Sequence, residues 1–389
     1  MDCDIVIIGA GPAGLAFAST VAGSGLSVCL IDRQSYDDIA DPKYDGREIA
    51  LTHHSQSLLH DLGAWDLLPD EAIAPLRKAR VLNGNSSFAL NFDTGQTGAD
   101  ALGALVCNHE IRRALFRCAQ KQQNVELLTG ASVVSIERSS SDVVVKLADG
   151  RAITAKLLVG ADSRFSWVRE QLGIAAEINR LGRGMLVARM QHAKPHDAVA
   201  TEWFDHHQTM AMLPLQGNNS SAVITLPMGQ AESLMQLGEA AFNAEVTRRY
   251  KGRLGQMELV GTRHLYPLAT TWSHHFAADR AALIGDASVG MHPVTAHGFN
   301  LGLSGQDLLA KAVLDAARKG QDIAGRRVLT AYETAHRRDS APLYRGTNAL
   351  VRLFTHEAPS SRVIRHVALR VAHKMPLVQS TIRARLMAR

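Results

Sequence analysis

The sequence predicts an α/β protein with a parallel-sheet unit, a separate antiparallel sheet and C-terminal helices. Three observations predict this. Short apolar runs at 3–8, 27–31, 156–162 and 281–286 show no alternation, three of them closing on an acid or meeting one next; such runs suit strands buried on both faces. Residues 199–228 alternate in strand fashion between turn-forming segments, the pattern of an antiparallel sheet. From Tyr332 onward apolar residues recur at helical spacing, most clearly Ile364, Val367, Ala368, Val371 and Met375.

Composition bounds the rest. The 389 residues suffice for two or three domains. With 46% hydrophobic and 20% charged residues, the chain is neither disordered nor collagenous. Its four cysteines are too scattered for a disulfide framework or a CxxC metal site, which fits a reducing cytoplasm. No apolar run reaches the roughly 18 residues needed to cross a bilayer, and Asp2 and Asp4 stand where a signal peptide carries cations. The net charge of +5 is concentrated in Ser361–Arg389, which holds seven Lys and Arg and no acid. The remaining body is close to neutral, which argues against a nucleic-acid partner.

The first element is the strand 3–8, followed by Gly9-Ala10-Gly11-Pro12-Ala13-Gly14 and an apolar helix from Leu15 to about Gly23. A second strand, 27–31, ends at Asp32-Arg33. This is the Rossmann-type arrangement of GxGxxG between strand and helix with an acid roughly 20 residues on. Gly9 allows the tight turn, Gly11 lets a pyrophosphate approach the backbone, and Gly14 lets helix and strand pack closely. The helix N-terminus then faces the phosphates, and Asp32 accepts from a ribose. The motif alone leaves FAD and NAD open; its place at the start of the chain favours FAD.

Two later strands end in the same way, at Gly160-Ala161-Asp162 and at Gly285-Asp286. Carboxyl edges of parallel strands are where doubly wound sheets bind ligands, so three edges would surround one extended ligand. The segments Gly9–Gly14, Asp45–His53, Gly160–Arg169 and Gly285–Leu303, with His292-Pro293 and Gly298-Phe299-Asn300-Leu301-Gly302, occur in this order. Together they resemble the single-component FAD aromatic hydroxylases, which have the fold of p-hydroxybenzoate hydroxylase. Within these the sequence is similar to the ubiquinone-biosynthesis branch (UbiH/UbiF-like), and most to the UbiM-type demethoxyubiquinol hydroxylases.

The resemblance implies site residues by position. Asp286 would hold the ribityl hydroxyls of FAD. Gly298, Phe299 and Asn300 would set backbone amides beside the flavin pyrimidine edge. Arg47, Asn108 and Arg112 would lie against the cofactor, the last two opening a helix over 110–119. Asp162 and Arg169 would pair and shape the segment serving FAD and the nicotinamide nucleotide. Pro293, Thr295 and His297 would form the flavin-facing loop as catalytic candidates. The family pattern is departed from at Ser163, at Ser288-Val289, at Thr295 and His297, and at Gly305 where an acid is usual.

Expected organisation follows. A discontinuous FAD-binding domain takes 1–66, 100–175 and 276–330. An antiparallel-sheet substrate domain takes 67–99 and 176–275. The C-terminal helical region takes 331–389. The sheet would roof the flavin, with Trp203, Met212 and Leu213 as candidates for an apolar pocket. The adjacent histidine pairs lack metal-ligand spacing, so no metal is expected. No second GxGxxG exists, so NADPH or NADH would bind transiently on the FAD domain.

The implied activity is NAD(P)H- and O2-dependent hydroxylation of the ring of a prenylated phenol or quinol, by way of a C4a-hydroperoxide of the flavin. The competing readings are an FAD-dependent reductase or dehydrogenase on the same fold, and a non-catalytic lipid carrier. The basic tail adds an expectation of contact with other ubiquinone-biosynthesis proteins or with the inner membrane face, as a peripheral protein.

Overall fold

The computed structural model describes residues 2–355 except Ser87, residues 96–98, His206 and Ala296. The basic stretch Ser361–Arg389 therefore lies outside the described residues. The first sheet has a parallel core in the order Ala281–Leu283, Ala152–Gly160, Asp2–Ile8, Val28–Ile31 and Val125–Leu128. The non-alternating sequence of these strands has a direct structural cause. Ile5 and Ile7 face one apolar cluster and Val6 and Ile8 face another, so both faces need apolar residues. Helices Pro12–Ala22, Asn108–Gln120 and Gly298–Arg318 cover the first face. The hairpin Val133–Arg138 and Val143–Leu147, with the short helix Trp167–Gln171, covers the second.

The second sheet has eight strands, in the order Val289–Gly290, Met257–Ser273, Ala176–His192, Asn219–Pro227, Gln208–Pro214, Val199–Asp205, Lys78–Asn83 and Ala89–Phe92. All its pairings are antiparallel except that of Val199–Asp205 with Lys78–Asn83. The expected antiparallel sheet is present, with strands close to those read from the alternation. The two faces differ. Leu186, Ala188, Met190, Ile224 and Leu226 pack under helices Met228–Met235 and Glu239–Arg249. Met185, Val187, Val223, Tyr266 and Leu268 occupy the opposite, inner face.

This corrects the pocket expectation. Trp203 and Met212 belong to the cluster under the two helices, and the Trp203 indole N–H donates to the Gly84 carbonyl at 3.0 Å. Of the three candidates only Leu213, by strand alternation, faces the inner side. Alternation predicted that two faces exist; it could not say which face meets the cofactor unit.

A small third sheet joins Glu48–Leu51, Gly103–Cys107 and Ile73–Leu76. Ile73–Leu76, expected with the substrate domain, thus pairs with strands expected in the FAD domain. The last described helix begins at Arg326, not near Tyr332, and runs to Thr355.

Candidate functional site

Strand register brings the three edges together. Ile8 lies opposite Ile31 on one side and Gly160 on the other, and Gly160 lies opposite Leu283. The residues that follow, Gly9, Asp32, Ala161-Asp162 and Gly285-Asp286, therefore crowd one end of the sheet.

The three glycines of the first turn have separate reasons. Gly9 has φ +114°, and a β-carbon on it would stand 2.4 Å from the Ala161 carbonyl oxygen. A β-carbon on Gly14 would stand 2.0 Å from the Gly9 oxygen. Both are dictated by the chain's own packing. Gly11 is different, since nothing comes nearer than 4.0 Å to its would-be β-carbon. It is the N-cap of Pro12–Ala22 and offers no side-chain cap, so the first-turn amides beyond Pro12, such as those of Ala13 and Gly14, are left for an anion. The open space at Gly11 is the cradle a pyrophosphate needs, and the residues present fit FAD. Asp32 fixes the turn, accepting from the Ala10 N–H at 2.7 Å and the Gln34 N–H at 2.8 Å; Arg33 beside it is exposed.

Beside this cradle stands a basic pair. Asp45 accepts from Arg47 at 2.6 Å and from the buried Asn108 amide at 2.7 Å. Burial alone would raise the Asp45 carboxyl; the Arg47 charge and these hydrogen bonds outweigh it and hold it below its usual range. Arg112 shares the helix Asn108–Gln120 with Asn108. Burial and the neighbouring Arg47 cation push the Arg112 guanidinium down. Two cations with one carboxylate between them suit a diphosphate. The Arg47 guanidinium also lies 5.5 Å from the Tyr266 ring of the second sheet.

At the second edge the expected Asp162–Arg169 pair does not form. Asp162 accepts from the Ser166 hydroxyl at 2.5 Å and the Val168 N–H at 3.2 Å, fastening the start of the helix Trp167–Gln171. The buried Arg169 donates to the Arg164 and Ala287 carbonyls, each at 3.1 Å. Local capping satisfies the acid before the arginine can reach it. At the third edge Gly285 has φ +59°, and its would-be β-carbon lies 3.0 Å from that of Ala13. The neighbouring Asp286 is bound by Arg164 at 2.8 Å and stays partly exposed. Arg164 lies within the Gly160–Arg169 segment, and its only sequence signal is nearness to Asp162.

The segment expected to face the flavin runs through a 3-10 turn, Pro293–Thr295, into His297 and the helix Gly298–Arg318. His297 is the N-cap of that helix without a side-chain cap, so the turn presents backbone amides and a positive dipole end. Pro293 is half-buried, and Phe299 packs on the core. The Asn300 side chain is buried, donating to the Ala50 carbonyl at 2.8 Å and accepting from the Thr52 N–H at 3.0 Å. It locks this helix to the strand that follows Arg47. His292 lies just before; burial, with Arg183 and Arg164 near, pushes it down to about 4. The missing acid at Gly305 has a structural counterpart: its would-be β-carbon stands 2.7 Å from His336, whose ring fills that space.

Sequence reasoning passed over two further groups. Glu48 is fully buried and paired with Arg189 at 2.9 Å across the sheet boundary. Glu202 lies on the inner face of the second sheet. A lone acid in an alternating strand carries no motif signal. Among the described residues, no three His, Cys, Asp or Glu side chains are placed to hold a metal ion.

The family described as FAD binding domain matches residues 2–344. The chain is 45% identical to ubiquinone hydroxylase UbiM of Neisseria meningitidis, over 98% of this chain and 84% of that protein. It is 33% identical to ubiquinone hydroxylase UbiL of Rhodospirillum rubrum, over 96% and 86%. It is 26% identical to 3-demethoxyubiquinol 3-hydroxylase of Escherichia coli, over 95% of each. Among solved structures, p-nitrophenol 4-monooxygenase PnpA of Pseudomonas putida superimposes with TM-score 0.79 at 18% identity, covering 100% of this chain and 99% of that one; this likeness shows the fold. The cradle accounts for the cofactor and the relatives span nearly the whole chain: it belongs to the FAD-binding family of aromatic hydroxylases, in the branch that holds the ubiquinone hydroxylases.

Proposed function

We propose that this protein hydroxylates the ring of a prenylated phenol or quinol, a ubiquinone precursor, using dioxygen and NADPH or NADH. The observation that carries the reading is the joining of an FAD cradle to an apolar inner sheet face. Met185, Val187, Val223 and Leu268 supply that face, and Tyr266 ties it to the cradle by donating to the Asp45 carbonyl at 2.6 Å. When bound, FAD would supply the redox chemistry between the nicotinamide nucleotide and dioxygen. The chain's own part is to position and to exclude water. Gly11 and the first-turn amides hold the pyrophosphate, Arg47 and Arg112 balance its charge, and Asp286 accepts from the ribityl chain. The start of the helix Gly298–Arg318 favours negative charge on the flavin. The apolar sheet face keeps water from the reacting centre.

The deciding experiment uses purified holoprotein, NADH or NADPH, a panel of prenylated phenols and heavy-isotope dioxygen. One labelled oxygen atom per product molecule is expected. Substrate-dependent nicotinamide oxidation without label would make the protein a reductase or dehydrogenase, and no turnover at all would favour a carrier.

Such substrates partition into membranes, and among the described residues no helix is long and apolar enough to cross one. We infer that the seven cations of Ser361–Arg389 draw the protein to anionic lipid, at about 1 kcal/mol per cation near the surface. Removing this stretch is expected to abolish co-sedimentation with phosphatidylserine vesicles while FAD stays bound. Loss of FAD on truncation would assign the stretch to the folded body instead.

A further inference from the structure

Glu202 is a polar group that the fold does not use. Its strand neighbours Thr201 and Trp203 point to the helix-covered face, whereas Ala200 and Phe204 pack on the inner side with Leu76, Leu90 and Val294. Alternation puts Glu202 with the latter pair. Val294 belongs to the flavin-facing turn, and Ala50, which packs on the same cluster, is the residue whose carbonyl Asn300 holds. Glu202 thus lies on the sheet face that packs toward this turn.

The register places it in a row of side chains that crosses the inner face. Across the inner face Glu202 lies beside Ala211, then Val223, then Val187, then His264. On one side runs a bulkier row, Phe204, Thr209, Thr225, Met185 and Tyr266; on the other, Leu213, Ser221 and Arg189. With strands about 4.8 Å apart, the stretch from Glu202 to Val223 spans about 10 Å, with only the small Ala211 between them.

Other buried or half-buried acids have partners. Glu48 has Arg189 at 2.9 Å, Asp307 has Lys311 at 2.7 Å, and Asp45 has Arg47 at 2.6 Å. Among the described residues none offers Glu202 a hydrogen bond or an ion pair. Val81 and Ala211, uncharged, stand opposite it on the flanking strands, and the cluster joined by its strand neighbours Ala200 and Phe204 takes in Val294 of the turn and Leu350 and Leu353 of the last helix. Burial alone pushes its carboxyl up to about 8. A lone carboxyl in apolar surroundings is costly, and groups so perturbed in a cleft mark functional positions.

We propose that Glu202 is a catalytic residue that meets the ring hydroxyl of the phenolic or quinolic substrate and holds its proton while the ring is hydroxylated. The inference rests on the hydroxylase reading above. The inserted oxygen comes from dioxygen, the two electrons come from the reduced nicotinamide nucleotide, and the second oxygen atom leaves as water. As the carbon–oxygen bond forms, the ring hydroxyl's O–H bond breaks and its electron pair feeds the ring. The proton passes to the Glu202 carboxylate. The attacked carbon then loses its hydrogen as a proton, its electron pair restores the aromatic ring, and Glu202 returns its proton to the ring oxygen. A base titrating near the working pH suits this role.

The test compares holoenzyme with Glu202→Gln and Glu202→Asp. It measures FAD content, affinity for 2-methoxyphenol by flavin fluorescence, and labelled product per NADH across pH. In the wild type, product formation is expected to rise with pH through a limb near 8. Glu202→Gln is expected to lose the limb and about 10²–10⁴-fold in hydroxylation rate, with FAD retained and NADH diverted to hydrogen peroxide. Glu202→Asp is expected to keep a limb. A Gln variant with wild-type product yield overturns the proposal, and so does a wild-type profile without the limb, whatever the variants do. If the wild type yields no labelled product from any phenol, the hydroxylase reading is what fails.

Discussion

The carboxyl edge of the parallel sheet and the inner face of the antiparallel sheet meet at one site but are built differently. The edge is backbone. Its turns are set by φ angles, close approaches and helix ends, and its acids are tied down: Asp32 by the Ala10 and Gln34 backbone N–H groups, Asp286 by Arg164, Asp45 by Arg47. The sheet face mixes apolar side chains such as Met185, Val187 and Leu268 with Thr225, His264 and Arg189, and among the described residues it leaves one acid unpartnered. The cofactor is the same molecule throughout its family and rewards a fixed cradle. A ring with a long apolar tail is met by a face whose chemistry lies in single side chains. The difference teaches where specificity can change without touching cofactor binding.

Breaking the edge should have the largest effect. Gly9→Ala puts a β-carbon 2.4 Å from a carbonyl oxygen at φ +114°, and Gly14→Ala puts one 2.0 Å from another. Each is expected to cost about 1–3 kcal/mol or more and to leave a protein without FAD, read by thermal melting and flavin absorbance. Gly11→Ala meets nothing closer than 4.0 Å. It should melt like the wild type in the absence of FAD yet hold less of it. If Gly11→Ala lowers the melting temperature as much as Gly9→Ala does, or Gly9→Ala melts like the wild type, the division between fold glycines and ligand glycine is wrong.

A smaller effect should follow at the third edge. Asp286→Ala removes a charge-assisted acceptor worth roughly 1.5–3 kcal/mol. It also leaves Arg164 with the Ala269 carbonyl at 2.9 Å as its remaining partner. FAD retention on dilution is expected to fall while the apoprotein melts unchanged within about 1 kcal/mol, since the Asp286–Arg164 pair is partly exposed. Full FAD occupancy in the variant would remove Asp286 from the site.

The same contrast explains what was legible in the sequence. Backbone-driven features leave fixed spacings. The GxGxxG turn, the acid after the second strand and the two later runs closing on Asp162 and Asp286 could be placed in order, and the strands, ending at Gly160 and Leu283, are found in register. Side-chain partners were not legible. Asp162 lies seven residues from Arg169 in sequence, close enough to suggest a pair, but Ser166 intervenes and caps the acid locally. Trp203 read as a pocket residue because it is large and apolar, yet the parity of its strand turns it to the covered face. Parity also places Glu202 on the side facing the site. Neither assignment can be made until something fixes which face meets the cofactor, and that depends on the register of strands far apart in the chain.

The smallest expected effect tests the unpartnered acid apart from any substrate. Burial raises the folded-state Glu202 carboxyl from 4.5 to about 8. Between those values the folded protein keeps a proton that the unfolded chain has released. Stability from this group is therefore fully present below about 4.5 and is lost as pH rises through about 8. The side chain keeps some accessible surface, so water reaching it offsets part of this cost. Glu202→Gln cannot ionise and should not share this loss, so its melting temperature should exceed that of the wild type at pH 8 and the gap should close by pH 5. A gain in stability paired with a loss in hydroxylation would mark the acid as kept for chemistry rather than for the fold. Parallel melting curves of the two proteins across this range would mean that Glu202 reaches solvent, and would remove the energetic argument for its role.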